Sequence, residues 1–291
     1  MENKLISFSK NSSRAFAPAH ISGIFIIDIK KNPINSGSMG AGICLEDGAV
    51  TTVHPAEKTE KTAIKINGEV NHAATTLSAT KLLTKNPILV ETTLSVPIGA
   101  GFGASAAGAL STALAVNKAL SLNITFNDLA EATHIAEVKN RTGLGDVTGM
   151  TCGGIDIRKH AGIPPIGSID RIPCSDEIIS WICFGEISTK SVLSDDIKKK
   201  SINKAGRVRL KDLLKKPTID NFFMQSCAFA KEIEIMSPQV RDAIESVEAA
   251  GGIAGQAMLG NTVFAINDNG ALSEFGEVKK SRISHAGAHL L

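Results

Sequence analysis

The chain has no tyrosine, a single tryptophan (Trp181) and only 4% aromatic residues in 291, which argues against the stacked aromatic platforms that bind bases. Charge of either sign is also not in excess. Its 31 Lys and Arg against 29 Asp and Glu leave +2, too little to neutralise a nucleic-acid backbone or to hold an anionic membrane surface. Only a small local cationic pocket is compatible with that balance. Cysteine is sparse and unpatterned: Cys44, Cys152, Cys174, Cys183 and Cys227 form no C-x-x-C pair, which fits a reduced cytoplasm, and a length of 291 residues excludes a disulfide miniprotein. Long apolar runs are missing too. Ile24–Ile27 ends at Asp28, and Ala104–Val116 is broken by Ser105, Gly108, Ser111 and Thr112, so neither a signal segment nor a membrane span is expected. No G-K-[ST] occurs anywhere, which removes the Walker A phosphate loop.

What is present is a globular composition, 43% hydrophobic and 21% charged, with 26 glycines. The length suits two modest domains or one large one. Short alternating or apolar pieces over Ala15–Ile29, Ala41–Val53 and Lys61–Asn67 read as strands, and Gly68 as a turn. Ala73–Thr84 has helical spacing, Asn86-Pro87 stops it, and Ile88–Val96 is a β-branched strand. Ala104–Leu120 is rich in alanine and other small residues and is expected to be a central helix; Leu129–Val138 is another. The break Gly162–Gly167 places a domain boundary, giving 1–162 and 163–291. Beyond it, Ile178–Glu186 and Asn261–Ile266 read as strands, and Ile197–Leu214, Ile219–Met236 and Pro238–Ala250 as helices, a β-α-α-α-β pattern suggesting an α+β sandwich.

Two constellations carry chemistry. In Pro97-Ile98-Gly99-Ala100-Gly101-Phe102-Gly103-Ala104-Ser105-Ala106-Ala107, a strand passes through three glycines straight into a helix. Bare N–H groups at a helix start suit a phosphate, and Ser105 in the first turn could ligate a magnesium ion. A tight turn that only lets the helix pack accounts for an arbitrary glycine loop about as well. Gly99-x-Gly101-x-x-Ala104 also meets the loose dinucleotide fingerprint, but a helix follows where a strand ending in an acid is needed. The second constellation, Ala136–Val147, puts Glu137 on a helix end and Asp146 after the Gly143–Gly145 turn. Phosphoryl transfer calls for a magnesium ligand and a group that orients or deprotonates the attacking hydroxyl; Glu137 with Ser105 could be the first, and Asp146 the second. Alone, each is more often a solvated face or a turn residue.

Pro97–Ala107 resembles the phosphate motif P-x-x-x-G-L-G-S-S-A-A of the GHMP small-molecule kinases, with Phe102 for Leu and Ala104 for the first Ser. Ala17-Pro18-Ala19-His20 is similar to that family's first motif, and Gly251–Phe264 occupies the place of its third. Ala17–Gly23, Glu137–Val147 and Ala257–Phe264 look most like the family's pantoate-phosphorylating archaeal members. The resemblance implies an α+β two-domain GHMP kinase architecture, with a ribosomal-protein-like N-terminal domain and a ferredoxin-like α/β sandwich C-terminal domain. It also implies ATP-dependent phosphorylation of pantoate to 4-phosphopantoate, with a homodimer as a family-level expectation. By carry-over, Pro97, Gly99, Gly101, Gly103, Ala104, Ser105, Ala106 and Ala107 hold ATP, Ser105 and Glu137 hold Mg2+, and Asp146 is the base. His20 and Ser22 face the substrate. A bidentate arginine suits its carboxylate, and Arg141 and Arg158 are the candidates because they flank the Asp146 loop. Gly251, Gly252 and Gly255 are expected to approach the nucleotide or to form an ordinary turn. His20 stands where many relatives have Lys, Ala104 removes a loop hydroxyl, and Lys139 stands where a second acid is expected. The rival readings are a kinase of mevalonate, homoserine or a sugar, a nucleotide-binding regulator without turnover, and a nucleic-acid-binding module, the last disfavoured by charge.

Overall fold

A computed structural model describes residues 12–57, 61–186 and 196–291. Two long strands, β1 (Ser13–Asp28) and β2 (Gly37–Pro55), pair antiparallel at the centre of an eight-stranded sheet. The second half of β2 pairs with β5 (Ile88–Leu94), which continues through β3 (Ala63–Ile66), parallel to it, to β4 (Glu69–Val70). The first half pairs instead with β6 (Ile155–His160), and β6 with β7 (Ser168–Ile172). Register shifts at Pro18/Ala19 and Ser22/Ile24 bracket His20 and Ser22. Such irregularities are where a strand tolerates a proline and re-aims its side chains.

Helices α1 (Ala74–Leu83), α2 (Ala104–Ala119) and α3 (Phe126–Asn140) lie together, with α2 packed on β1 and β2. The alanine-rich sequence of α2 permits that close approach. Where α2 crosses the sheet, the Ser111 hydroxyl meets Thr51 at 2.7 Å, and Thr51 meets Thr92 at 2.9 Å, so three buried hydroxyls satisfy one another. A short helix absent from the sequence reading, α4 (Asp146–Cys152), follows the Gly143–Gly145 turn.

The second sheet is antiparallel, in the order β11 (Lys279–Arg282), β8 (Ile178–Glu186), β10 (Gly260–Ile266), β9 (Ile253–Gln256). It is accompanied by α5 (Asp196–Lys215), α6 (Ile219–Glu232) and α7 (Pro238–Ala249). Helices α5 and α6 also pack on β1, and one apolar cluster runs from Ile21, Ile24 and Ile26 to Phe222, Phe229 and Phe264. Each such buried side chain contributes roughly 1.5–3 kcal/mol through its removal from water. The two sheets therefore share a core. By sheet, the chain changes over between Ile172 and Ile178, past the Gly162–Gly167 break, which forms the β6–β7 connection; β12 (His289–Leu290) then returns to β1. Among the described residues no helix is long and apolar enough to cross a membrane.

Candidate active site

A cavity of about 520 Å3 opens where the start of α2, the loop before α4 and the turn before β10 meet. Its first wall is the glycine loop. Gly99, Gly101 and Gly103 all take positive φ (78°, 87° and 61°), a backbone state costly for residues with a Cβ. Gly103 is the N-cap of α2, and among the described residues no side chain caps that helix. By contrast, Thr125 caps α3, Thr218 caps α6 and Ser237 caps α7 through their hydroxyls. The first amides of α2 are thus left for an outside acceptor, at the positive end of the helix dipole.

The second sheet braces this loop. Thr262 Oγ1 donates to the carbonyl of Ala100 at 2.8 Å, a Cβ on Gly260 would lie 2.0 Å from that carbonyl, and Met258 N donates to the Ser22 carbonyl at 2.9 Å. Met258 and Leu259 line the cavity. The glycines at 251, 252 and 255 do not: a Cβ on Gly251 would meet open space, Gly252 abuts the Asn267 carbonyl, and Gly255 packs on Phe264. They serve the second sheet, and the turn after β9 reaches the site in their stead.

The opposite wall holds the carboxylates. Asp146 is the first residue of α4, and its Cγ would lie 3.1 Å from a Cβ on Gly103, so it touches the end of the glycine loop. Glu137, on the last turns of α3, is fully buried behind Gly143. A Cβ on Gly143 would lie 2.3 Å from Glu137 Oε1 and 2.7 Å from Asp146 Oδ2, so both carboxylates converge on that glycine. Among the described residues neither oxygen of Glu137 has a close hydrogen-bond donor, Oε2 facing only His134 Nδ1. His134, whose Nε2 lies 2.8 Å from the Ser36 carbonyl, faces Glu137 across 3.5 Å. Burial raises the Glu137 pKa, with His134 opposing and the Asp146 charge adding to it. A buried carboxylate with one oxygen facing only a histidine at 3.5 Å and the other without a donor among the described residues is costly alone and fits a site built to meet a cation. Among the described residues no group of three or more His, Cys, Asp or Glu could hold a metal.

A line of buried charge runs beneath the cavity. His20 places Nδ1 2.9 Å from Asp146 Oδ1 and Nε2 2.7 Å from Asp156 Oδ2. Arg158 donates through Nη1 to Asp156 and through Nη2 to Ser22 Oγ at 3.2 Å, while its Nε is buried without a partner among the described residues. His20, Asp156 and Arg158 are all 0% exposed. Gly40 and Gly42 on β2 sit opposite Arg158 and Asp156, and a Cβ on Gly42 would fall 2.2 Å from the His20 ring, so glycine makes the room these large polar groups need.

The candidates read from sequence thus divide by depth. Ser22, Gly99, Gly101, Gly103, Ala104, Ser105, Arg141 and Asp146 line the cavity. His20, Glu137 and Arg158 are buried behind it, Pro97 is exposed, and Ala106 and Ala107 are buried in α2 among core residues. Asp156, His134, Ser38, Phe25, Met258 and Glu186 were missed. The one signal for Asp156 was Ile155-Asp156-Ile157-Arg158, two opposite charges two apart within an apolar strand.

Three positive-φ glycines at the start of α2 stand opposite two carboxylates at one cavity of a two-sheet α+β frame, an arrangement suited to phosphoryl transfer. Residues 65–154 match the family model of the GHMP kinases N terminal domain, and the chain belongs to the GHMP kinase family. Its relatives within that family include the pantoate kinase of Methanocaldococcus jannaschii, 33% identical over 272 residues covering 92% of this chain and 97% of the relative. The pantoate kinase of Thermococcus kodakarensis is 33% identical over 263 residues, 87% of each chain. A solved structure described as "Phosphotransferase related to CoA biosynthesis pathway" superposes with a TM-score of 0.88 at 28% identity, covering 96% of this chain and 98% of that one.

Proposed function

We propose that this chain phosphorylates pantoate at its primary hydroxyl, taking the γ-phosphoryl group of ATP, in coenzyme A biosynthesis. The observation that carries this reading is the contact of Asp146 with Gly103: the anion cradle and a carboxylate able to take a hydroxyl proton stand side by side in one cavity. The full-length similarity to pantoate kinases selects the acceptor.

The phosphates of ATP lie over Gly99–Gly103 and the uncapped amides of α2. The base enters the adjoining pocket of about 200 Å3, which shares Ile98, Ala104, Ser105 and Thr142 with the main cavity and reaches Asn71 and Leu94. Ser105 and Glu137 would hold magnesium, which would supply charge neutralisation for the triphosphate. The buried oxygens of Glu137, without a close donor among the described residues, are the feature that fits this role.

Asp146 orients the acceptor hydroxyl toward the γ-phosphorus and receives its proton as the new O–P bond forms and the bond to ADP breaks. The substrate carboxylate is placed over Ser22, whose hydroxyl is backed by Arg158 and its buried Nε. Phe25, Met258 and Leu259 give the dimethyl carbon an apolar wall. Arg141, at the cavity edge beside Gly143, is left for the charge developing on the transferred group. ADP release with pantoate, measured against mevalonate, homoserine and a hexose, tests the assignment; turnover of one of those alone would retain the kinase and reject the substrate.

A further inference from the structure

The four charges Asp146, His20, Asp156 and Arg158 alternate in sign along one buried line. Each ring nitrogen of His20 meets a different carboxylate, at 2.9 and 2.7 Å. A neutral imidazole carries one N–H and can donate to only one of them; meeting two ionised carboxylates takes the imidazolium, with both nitrogens donating. Arg158 Nη1 stands 3.0 Å from His20 Nε2, but it donates to Asp156, so two cations share the two oxygens of one carboxylate. Gly42 and Gly149 close on the ring from β2 and α4; a Cβ on either would lie 2.2 or 2.4 Å from Nε2. The ring is held on every side.

We propose that Asp156 is a positioning residue for phosphoryl transfer: through His20 it fixes the Asp146 carboxylate, tying down Oδ1 and leaving Oδ2 for the acceptor hydroxyl. This rests on the reading of Asp146 as the group that takes the hydroxyl proton. Only Asp146 of the three residues in the clamp reaches solvent, with 19% of its side chain exposed. Its Oδ1 faces the buried ring, whereas Oδ2 has no hydrogen-bond partner among the described residues and lies against the cavity-lining Gly143. A carboxylate rotates broadly about its last torsion, and a misplacement of about 1 Å at a reacting group can cost on the order of a hundredfold in rate. A ring anchored at its far end by Asp156 removes that freedom.

The charged and titratable groups around His20 are Asp146 from α4, Asp156 and Arg158 from β6, Glu137 from α3 and the Cys44 thiol from β2. Burial works against the imidazolium, but the Asp156 charge and the hydrogen bonds to Asp146 and Asp156 outweigh it and push the pKa up to about 9. Burial works against ionised Asp156 as well, yet Arg158 and His20 hold its pKa below the usual carboxylate range. His20 and Asp156 are therefore held in their charged forms at neutral pH.

The test takes Asp156→Asn, His20→Gln and the double variant, with kcat and KM measured at saturating magnesium. We expect each single change to lower kcat by about 10- to 100-fold, with KM for ATP unchanged within about twofold. The double variant should lose no more than the worse single one. Asp156→Asn should also bring the alkaline limb of the wild-type kcat/KM profile down by about one pH unit or more. Additive losses, an unmoved limb, or wild-type kcat in Asp156→Asn would overturn the proposal. Nitrogen-15 NMR of histidine-labelled wild-type protein, with His20 assigned by its loss in His20→Gln, needs neither turnover nor a stable Asp156 variant. Two protonated ring nitrogens at pH 7.5 support the clamp, and a neutral tautomer there rejects it. Lack of wild-type turnover on pantoate would refute the functional reading instead, and the NMR result would still decide the clamp.

Discussion

Phe102, in the glycine loop, packs edge-on against Trp181 of the second sheet, with ring centroids 4.6 Å apart and an interplanar angle of 61°. The loop that would carry the phosphates is thereby coupled to the only tryptophan in the chain. ATP binding should shift Trp181 emission in a saturable way, and Trp181→Phe should be silent. Phe102→Ala should destabilise the fold by about 3–5 kcal/mol, as expected for an aromatic residue lost from a core. Urea unfolding measures it; a loss well under 1 kcal/mol would show that the loop is not braced there.

Glu137→Gln separates function from stability. Without its buried carboxylate the variant should lose turnover by about a hundredfold or more and need far more magnesium. Its metal-free stability near pH 7 should equal or exceed that of the wild type, because a carboxyl whose pKa is raised by folding stabilises below its unfolded value and loses that contribution as pH rises through the folded one. Melting curves at pH 5 and pH 8 without metal check this; a variant that loses stability equally at both would contradict it.

Gly143→Ala should damage the site while sparing the fold. The added methyl would fall 2.3 Å from Glu137 Oε1 and 2.7 Å from Asp146 Oδ2, so kcat should fall by about a hundredfold or more through misplacement of both groups. Steady-state kinetics beside a melting curve decide it; near-normal kcat would mean that neither carboxylate takes part.

His20 should give stability a slope on the alkaline side. Its pKa rises from 6.5 to about 9 on folding, so its contribution is complete below about pH 6.5 and fades as pH climbs to about 9, on the order of 3 kcal/mol in all. His20→Gln should flatten the slope over that window in denaturant titrations. An unchanged slope would assign it to another group.

The parts of this fold legible in the sequence were those set by neighbours along the chain. Pro97 and three glycines marked where β5 gives way to α2, and the apolar run Ile178–Glu186 gave β8 to the residue. Asp146 was singled out beside Gly145, and Glu137 at the end of a helix that runs into the Gly143–Gly145 turn. Asp156 and Arg158 were harder: two charges in a short strand look solvated, and their burial follows from pairing with Gly40 and Gly42, more than a hundred residues earlier. No local pattern holds that information. Helix α4 was lost for a related reason, since two nearby glycines argue for a turn and its stability comes from packing on β1, α2 and α3. Gly255 looked like a loop residue but lies within β9, where its lack of a side chain admits the ring of Phe264.

Arg158→Lys should raise KM for pantoate by about 10-fold or more and leave KM for ATP near its original value, because a lysine cannot hold Asp156 and Ser22 together as the guanidinium fork does. Arg141→Ala should act chiefly on kcat. The opposite split would exchange the roles of the two arginines.

The most direct measurement is phosphorus-31 NMR of the wild-type protein incubated with pantoate, ATP and magnesium, run beside Asp146→Asn. A phosphomonoester resonance coupled to the methylene protons of pantoate C4, growing with ADP in the wild type and missing in the variant, is the predicted result. ADP accumulating with inorganic phosphate alone, or an equal phosphomonoester signal from Asp146→Asn, would contradict the account.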